Sequence, residues 1–311
     1  MDLKMDSENS MKSQGKQRAF LSLKRREALS ALVFVSPTLL LLLVFSFIPI
    51  FYSFWVSLQR WNLIQPPVYT GIENYINVFK DRYFRQALVN TLYFTGVSVP
   101  LTVMLSLGLA IMLNRKIRFI SFYRTGYYIP VITSIVAVSV IWTWIYNGDT
   151  GLLNKVLASI GITGPNWLFD PGWAMPAVII MTIWKNVGYY MVIYLAGLQG
   201  IDKSYYEAAE IDGATRWNCF RHVTLPMLAP TTQFIVIMAV ISALQVFGQI
   251  YVMTGGGPVG STTTVVYLIY QTAFSAFKVG YASAIAFIFF IVVFGLTLLQ
   301  WKISRGRVEF M

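Results

Sequence analysis

Long apolar stretches alternate with short polar ones along most of the chain. Each apolar stretch is at least as long as the roughly 20 residues that a helix needs to cross a hydrocarbon core of about 30 Å. They lack the period-two alternation of barrel strands, and a spanning helix satisfies its own backbone hydrogen bonds. The pattern therefore predicts an all-α integral membrane protein with six transmembrane helices. The predicted spans are 28–58, 87–113, 125–146, 173–198, 228–253 and 279–301.

The polar stretches define the ends of this domain and its orientation. We predict a cytoplasmic N-terminal tail at 1–27, a six-helix transmembrane domain at 28–303 and a cytoplasmic C-terminal tail at 304–311. Lys and Arg are concentrated in both tails, in the loop around Arg115 and in the segment 204–226. Because positive charge marks the cytoplasmic side of a membrane protein, both termini and the segment 204–226 should face the cytoplasm.

Composition excludes several functional classes. The chain is 56% hydrophobic and only 12% charged, which is not the composition of a soluble domain. Its net charge of +11 lies mostly beside apolar spans, which indicates membrane topology rather than nucleic-acid binding. The single cysteine, Cys219, and the single histidine, His222, leave no pattern for disulfides, cysteine-rich zinc sites or Cys–His catalysis across distant segments.

The segment 204–226 is a polar, charged island between two apolar spans. Ser204 followed by Glu207 has the spacing of a capping box, which predicts a short helix that begins there and ends at Ile211. Gly213 then supplies the stop, because glycine tolerates the backbone conformation that ends a helix. The segment should therefore begin with one short helix followed by a sharp turn.

A second short helix is predicted after this turn. Thr215 can cap its start, and Pro226 should end it because proline lacks a backbone donor. Ala208 and Ala209 give the first helix a face of small side chains, which suits close contact with another protein. The neighbouring charges that could orient such a partner are Glu207, Glu210 and Asp212.

This helical hairpin resembles the EAA loop of binding-protein-dependent ABC importer permeases. The family pattern is Glu-Ala-Ala, three residues, Gly, nine residues, Ile, one residue, and Leu-Pro; Val223 replaces the Ile here. The matching positions are Glu207, Ala208, Ala209, Gly213, Val223, Leu225 and Pro226. Further segments are similar to the carbohydrate-uptake branch, the relatives of the maltose and glycerol-3-phosphate permeases. These segments are Tyr128–Pro130, Trp184–Gly188, Leu195–Gly200 and Thr254–Pro258.

The resemblance implies a fold, a function and a set of partners. The fold would be that of a type I ABC importer permease with a cytoplasmic coupling helix, in a bacterial or archaeal cell membrane. Its partners would be a second homologous permease, a dimer of ATPases that binds ATP and Mg²⁺, and an external solute-binding protein. This chain itself would be non-catalytic, without a cofactor or metal. The implied ATPase-coupling residues are Glu207, Ala208, Ala209, Asp212, Gly213, Leu225 and Pro226.

The resemblance also implies a sugar or oligosaccharide as the solute. Glycerol-3-phosphate or another small polar solute is the alternative. An ion-coupled secondary transporter is disfavoured, because no Asp or Glu lies inside a predicted span and no internal repeat is visible. An intramembrane enzyme would need a catalytic pair that the spans lack. The chain also contains no P-loop. The segment most similar to one, Gly255 to Thr262, lacks the lysine that a P-loop requires.

Lys185 is the one charged residue inside a predicted span, near mid-membrane in the fourth. A lysine there is costly unless it faces a wet cavity or a polar partner. One hypothesis is that it lines the solute path together with Asn186 and with Tyr189, which lies one turn away. The alternatives are a structural lysine that holds a backbone carbonyl or a loop, and a lysine that snorkels from a kinked helix.

Two glutamines on the fifth predicted span are further candidates for the path. Gln245 and Gln249 are four residues apart and would share a helix face, with Tyr251 near the outer end. Polar side chains inside a span either contact solute or hold helices together, and both readings stay open for these residues. Asn90 and Thr91 on the second span are assigned to helix contacts.

Overall fold

The computed structural model describes residues 27–115 and 118–308. The predicted tail at 1–27 therefore lies outside the described residues except for Glu27, which begins the first helix. The backbone divides into two units, one that ends at Trp55 and one that begins at Val56. Each unit is described separately below.

The first unit contains one long apolar helix. This helix, α1, spans Glu27–Ser57 and includes a π turn at Leu43–Phe47. Within residues 27–55 no side chain is buried, and large apolar side chains such as Phe34 are 84% exposed. A helix that is apolar on every side suits contact with lipid or another protein. Its length and hydropathy are those of the first predicted span.

The second unit contains a short β-hairpin and twelve further helices within the described residues. Strands β1 (Gln59–Arg60) and β2 (Val68–Tyr69) pair antiparallel, with Gln59 opposite Tyr69. The helices are α2 (Glu73–Lys80), α3 (Arg82–Leu113), α4 (Ile120–Ile132), α5 (Ile135–Ile145), α6 (Leu152–Ser159), α7 (Ala174–Gln199), α8 (Lys203–Ile211), α9 (Arg216–Met227), α10 (Ala229–Leu244), α11 (Gly248–Met253), α12 (Val265–Ser275) and α13 (Val279–Val308).

The described residues contain four straight candidate spans, and six if each of two bent helix pairs counts as one. Helices α1, α3, α7 and α13 are each long and apolar enough to cross a membrane. The pairs α4–α5 and α9–α10 each qualify as one bent span, with angles of 100° and 63°. Helix α13 continues to Val308, so it extends into the predicted C-terminal tail at 304–311; residues 309–311 lie outside the described residues.

The third span, predicted as 125–146, is broken at Thr133, whose ψ angle of 140° leaves the helical region. The ammonium of Lys185, on α7, donates hydrogen bonds to the carbonyl oxygens of Pro130 and Thr133 at 3.0 Å and of Val131 at 3.1 Å. Carbonyls at the end of a helix have no partner within the helix and must find one elsewhere. A side chain from another helix therefore stabilises the bend.

The fifth span, predicted as one helix over 228–253, is also interrupted. Three residues separate α10 from α11. In this gap the carbonyl of Val246 accepts a hydrogen bond of 3.0 Å from the hydroxyl of Thr264. Gly248 then begins α11 so close to Ile135 that a Cβ atom would lie 3.1 Å from its Cγ2. The prediction of a single helix was wrong: in the gap the Val246 carbonyl bonds to a side chain from a later segment, and the chain packs closely on Ile135 where α11 begins.

The core of the second unit lies between α3, α7 and α10. Fully buried side chains include Phe94 on α3, Met181 and Tyr194 on α7, and Ile235 on α10. The Ser106 hydroxyl of α3 donates to a backbone carbonyl of α7 at 3.0 Å. These helices form the frame on which the loops and the hairpin are placed.

Asn90 and Thr91 serve packing, as predicted, although they contact a loop and the start of α12 rather than another spanning helix. The Asn90 amide donates to the carbonyls of Gly260 and Thr263, both at 2.9 Å. The Thr91 hydroxyl accepts from the backbone amide of Val265 at 3.0 Å. The glycine-rich loop after α11 is thereby fixed to α3.

The β-hairpin and α2 form a compact platform against the first turn of α13. The buried amide of Asn74 donates to the carbonyls of Ser57 at 2.8 Å and Gln59 at 2.9 Å. Gly280 lies so close to Gln59 that a Cβ atom would overlap its carbonyl oxygen. A groove of about 690 Å³ lies between these elements, with Trp61 in its wall. The platform is thus fixed to the last span by backbone contact.

Candidate functional site

The charged hairpin begins two residues earlier than predicted. Asp202, not Ser204, caps α8, and its carboxylate accepts a hydrogen bond of 2.9 Å from the backbone amide of Ser204. This bond lowers the pKa of the Asp202 carboxyl below its usual range. The capping box with Glu207 was therefore misplaced, because aspartate and serine can both cap and the sequence offers both. The helix ends at Ile211, as predicted.

The turn between the two helices has the predicted geometry. Gly213 has a φ angle of +78°, in the left-handed region that favours glycine. Its amide donates to the Glu210 carbonyl at 3.0 Å, and the Ala214 amide donates to the Ala209 carbonyl at 2.9 Å. The Thr215 hydroxyl then accepts from a backbone amide in the first turn of α9. Both ends of the turn are therefore fixed by local hydrogen bonds.

Pro226 does not end the second helix, contrary to the prediction. Residues Phe220–Thr224 form a π turn, in which the amide of Leu225 bonds to the carbonyl of Phe220. A π turn adds a residue to the helix and widens it, which makes room for the proline ring. The helix continues to Met227, and the chain bends there before α10. Leu225 and Pro226 thus lie just before the bend.

The outer surface of the hairpin is exposed and chemically mixed. Glu207, Ala208, Asp212 and Gly213 are exposed, while Ala209 is half-buried. Ile211 is 87% exposed at the tip and Trp217 is 64% exposed. Apolar side chains next to carboxylates, on a turn with fixed geometry, suit contact with a partner protein. All seven predicted coupling residues therefore belong to one continuous helical hairpin.

A small polar cavity lies between α3, α7, α10 and α11. Its volume is about 40 Å³, room for about one water molecule. Asn186 and Gln249 line it, and the Gln249 amide donates to the Thr182 hydroxyl at 3.3 Å. The other lining residues are Phe94, Ser98, Val99, Thr102, Tyr190, Ala239, Ser242 and Ala243. Hydroxyl and amide groups from four helices thus converge within the spans.

The cavity contains two of the six residues predicted for the solute path. Asn186 and Gln249 line it, whereas Lys185 binds the backbone carbonyls of α4, as in the structural alternative. Tyr189 lies outside the cavity with 37% of its surface exposed. Gln245 ends α10 in an exposed position, so it does not share a helix face with Gln249 as predicted. The interruption after α10 is the reason for this difference.

Tyr251, the sixth candidate, belongs to an aromatic cluster. Its ring stacks on Phe247 with centroids 5.6 Å apart and meets Tyr270 edge-on at 5.3 Å. Phe274 extends the cluster from Tyr270 at 5.4 Å. Neither this cluster nor the lining residue Thr182 was predicted from the sequence. The close spacing of aromatic residues over 267–274 was the available signal for the cluster.

No metal centre is formed by the residues that the structure describes. Within 27–115 and 118–308, no three His, Cys, Asp or Glu side chains lie close enough to hold an ion.

Comparison with known proteins assigns the chain to a family. The model of the binding-protein-dependent transport system inner membrane component matches residues 68–306. This chain belongs to that family. The match includes every candidate residue of the hairpin and of the spans. The chain is accordingly a multi-pass inner-membrane permease, a non-catalytic subunit of a transport system.

Relatives of this permease span nearly its whole length. It is 38% identical over 294 residues to the lactose transport system permease protein LacF of Rhizobium radiobacter, covering 92% of this chain and 97% of LacF. It is 36% identical over 286 residues to the trehalose/maltose transport system permease protein MalF of Thermococcus litoralis, with coverage of 92% and 97%. The likeness is therefore global and not limited to the hairpin.

Solved structures support the type I importer permease fold. One similar chain is found in the crystal structure of a bacterial ABC transporter involved in the import of the acidic polysaccharide alginate. It aligns with a TM-score of 0.79 and 27% identity over 93% of this permease and 99% of that chain. A second structure shows a bacterial alginate ABC transporter in complex with a periplasmic protein bound to an alginate pentasaccharide, with a TM-score of 0.79 and 26% identity; 92% of this permease and 96% of that chain are covered.

Proposed function

We propose that this chain is the permease subunit of an ATP-driven importer for a sugar or oligosaccharide, and that it docks a separate ATPase through the hairpin 204–226. The observation that carries the proposal is the hairpin itself, which is exposed, has a capping hydrogen bond at the start of each of its helices and matches the EAA pattern. The names of the relatives LacF and MalF favour sugars as the solute class.

The partners follow from the same proposal. An ATPase dimer binds ATP and Mg²⁺ and receives the hairpin, a second homologous permease forms the other half of the path, and an external protein delivers the solute. The complex of a similar transporter with its solute-bound periplasmic protein supports the last of these partners. We further propose that both termini and the hairpin face the cytoplasm, as the distribution of Lys and Arg favours.

In this mechanism the hairpin acts as a lever. Closure of the ATPases around ATP displaces α8, and because α9 and α10 follow with only a bend between them, the displacement reaches the spans. The spans then alternate between inward-facing and outward-facing forms. Only contacts that differ between the ATP-bound and nucleotide-free ATPase can drive this change.

The polar cavity is the proposed part of the path within this chain. Amide and hydroxyl groups of Asn186, Gln249 and Thr182 can bind the hydroxyl groups of a sugar without attracting ions. At about 40 Å³ the cavity is too small for a sugar ring, so the helices around it must separate for solute to enter. The described conformation is therefore closed at this point.

Reconstitution tests the proposed function directly. The permease should be expressed with its paired permease, ATPase and binding protein, and placed in proteoliposomes with ATP and with candidate sugars, glycerol-3-phosphate and other small polar solutes. ATP-dependent uptake of a sugar is the expected result. Uptake by this chain without an ATPase, or labelling of a cysteine placed at Glu207 from the external side, would contradict the proposal.

The two glutamines provide a matched test of the cavity. We expect Gln249→Leu to lower uptake about tenfold, with a higher apparent KM for solute, because the wall loses an amide while the size of the side chain is nearly kept. Gln245→Leu is the control, since the same change is made outside the cavity; uptake should stay within about twofold of the parent. The measurement is initial uptake rate against solute concentration.

A purely structural role of Gln249 predicts a different result. Loss of its hydrogen bond to Thr182 would then lower the melting temperature of the complex without a change in KM. That outcome would remove the residue from the path.

A further inference from the structure

Three residues on slightly more than one turn of α7 hold the two halves of the bent third span. They are Trp184, Lys185 and Gly188, and each uses a different kind of contact. Lys185 and Gly188 hold α4, and Trp184 holds α5. The sequence motif Trp184–Gly188 is thus explained by contacts made within this chain.

Lys185 binds the carboxyl end of α4. Its ammonium has three N–H donors, and all three are used, on the carbonyls of Pro130, Val131 and Thr133 at 3.0 to 3.1 Å. The carboxyl end of a helix carries partial negative charge, which a cation stabilises. Inside the spans water cannot easily replace this partner, so the three carbonyls depend on the lysine.

Gly188 provides backbone contact one turn further along α7. It is buried, and a Cβ atom on it would overlap the carbonyl oxygen of Tyr127 in α4. Small residues at such points allow helices to approach closely inside membranes. The approach of α4 to α7 therefore requires glycine here and brings the last turn of α4 within reach of Lys185.

Trp184 holds the other half of the span. Its ring packs on that of Trp142 in α5, with centroids 5.4 Å apart and planes tilted by 59°. Trp142 in turn packs on Tyr146, whose hydroxyl donates to the Ala177 carbonyl of α7 at 3.0 Å. Helix α5 is thus fixed to α7 by tilted ring contacts and a hydrogen bond.

We propose that residues 184–188 of α7 form a clamp that fixes the bend of the third span, and that Lys185 is a positioning residue for transport rather than a ligand of the solute. Because Gly248 packs on Ile135 at the start of α5, the clamp also places α11 and its side chain Gln249 against the cavity. Helices α4, α5 and α7 then move as one body in the transport cycle.

Distance measurement across the bend tests the clamp. Spin labels are placed at Phe122 on α4 and Val140 on α5, both exposed, in a Cys219→Ser background that removes the only cysteine. In the assembled transporter we expect one narrow distance distribution. Lys185→Met should broaden or shift it, lower the melting temperature by about 5 °C and lower uptake about tenfold, because three carbonyls lose their partner.

Two further variants serve as comparisons. Lys185→Arg retains charge and donors, so it should restore the narrow distribution and most of the thermal stability. Lys155→Met removes a lysine from the exposed face of α6 and should change neither distance nor melting temperature. If Lys185→Met does not assemble, Lys185→Gln is measured in its place, with a smaller shift in distance and melting temperature expected.

An unchanged distance and melting temperature in Lys185→Met, or in Lys185→Gln where that variant replaces it, would overturn the clamp. A rise in KM without a change in distance would also overturn it, since the lysine would then act on the solute. The spin-label distance measurement requires no knowledge of the solute. It therefore remains interpretable if the transporter does not take up a sugar. Its failure and the failure of the proposed function are therefore distinguishable.

Discussion

Gly213→Pro is expected to lower ATP-driven uptake about tenfold or more and to uncouple it from ATP hydrolysis or weaken binding of the ATPase. Proline fixes φ near −65°, whereas Gly213 has a φ of +78°. The change also removes the amide that donates to the Glu210 carbonyl. Because open space surrounds Gly213, the effect comes from the backbone and not from a clash. Uptake and ATPase rates in proteoliposomes provide the measurement.

Gly71→Pro is the matched control for this result. Gly71 has a φ of +61° and open space where a Cβ atom would lie, but its place is between β2 and α2, away from the hairpin. Uptake by this variant should stay within about twofold of the parent, since the strain is confined to a loop of the platform. Normal coupled transport by Gly213→Pro would count heavily against the assignment of the hairpin as the coupling element.

Gly280→Ala is expected to destabilise the chain by about 3 kcal/mol and to lower the melting temperature markedly. The added methyl group would overlap the carbonyl oxygen of Gln59, so either α13 or the β-hairpin must move. A backbone oxygen cannot rotate away as a flexible side chain can. Thermal unfolding of the purified complex, followed by a fluorescent dye or by loss of monodispersity, gives the measurement.

Gly295→Ala on the same helix is the control for Gly280→Ala. Among the described residues, no atom outside its own stretch of helix lies within 4 Å of its Cβ position, so the same substitution meets no packing neighbour there. Its melting temperature should equal or slightly exceed that of the parent, because alanine favours the helix more than glycine by about 1 kcal/mol. Equal melting temperatures for the two variants would show that the platform is not fixed at Gly280.

The sequence predicted those features that depend on residues close together in the chain. The spans follow from uninterrupted apolar runs, and the hairpin turn follows from Gly213 and Thr215, each acting on backbone within a few residues. The start of α8 was misplaced by a local ambiguity, because Asp202 and Ser204 are both good caps. Interactions between residues close in sequence therefore predict the positions of these elements, with errors of a few residues at their ends.

The interruptions of the spans depend on residues far apart in the chain and were missed for that reason. At the bend the Thr133 carbonyl bonds to Lys185, and in the gap after α10 the Val246 carbonyl bonds to Thr264 and Gly248 packs on Ile135. These partners meet only when the helices are packed. The gap separates Gln245 from Gln249, so Gln249 lines the cavity and Gln245 does not.

Helix α1 contributes none of its side chains over residues 27–55 to a buried core. A run of exposed apolar side chains of this length suits contact with hydrocarbon. Exchanges among Leu, Val, Ile and Phe should be nearly neutral there for the fold of this subunit. Such exchanges keep the hydropathy and the length that a spanning helix needs.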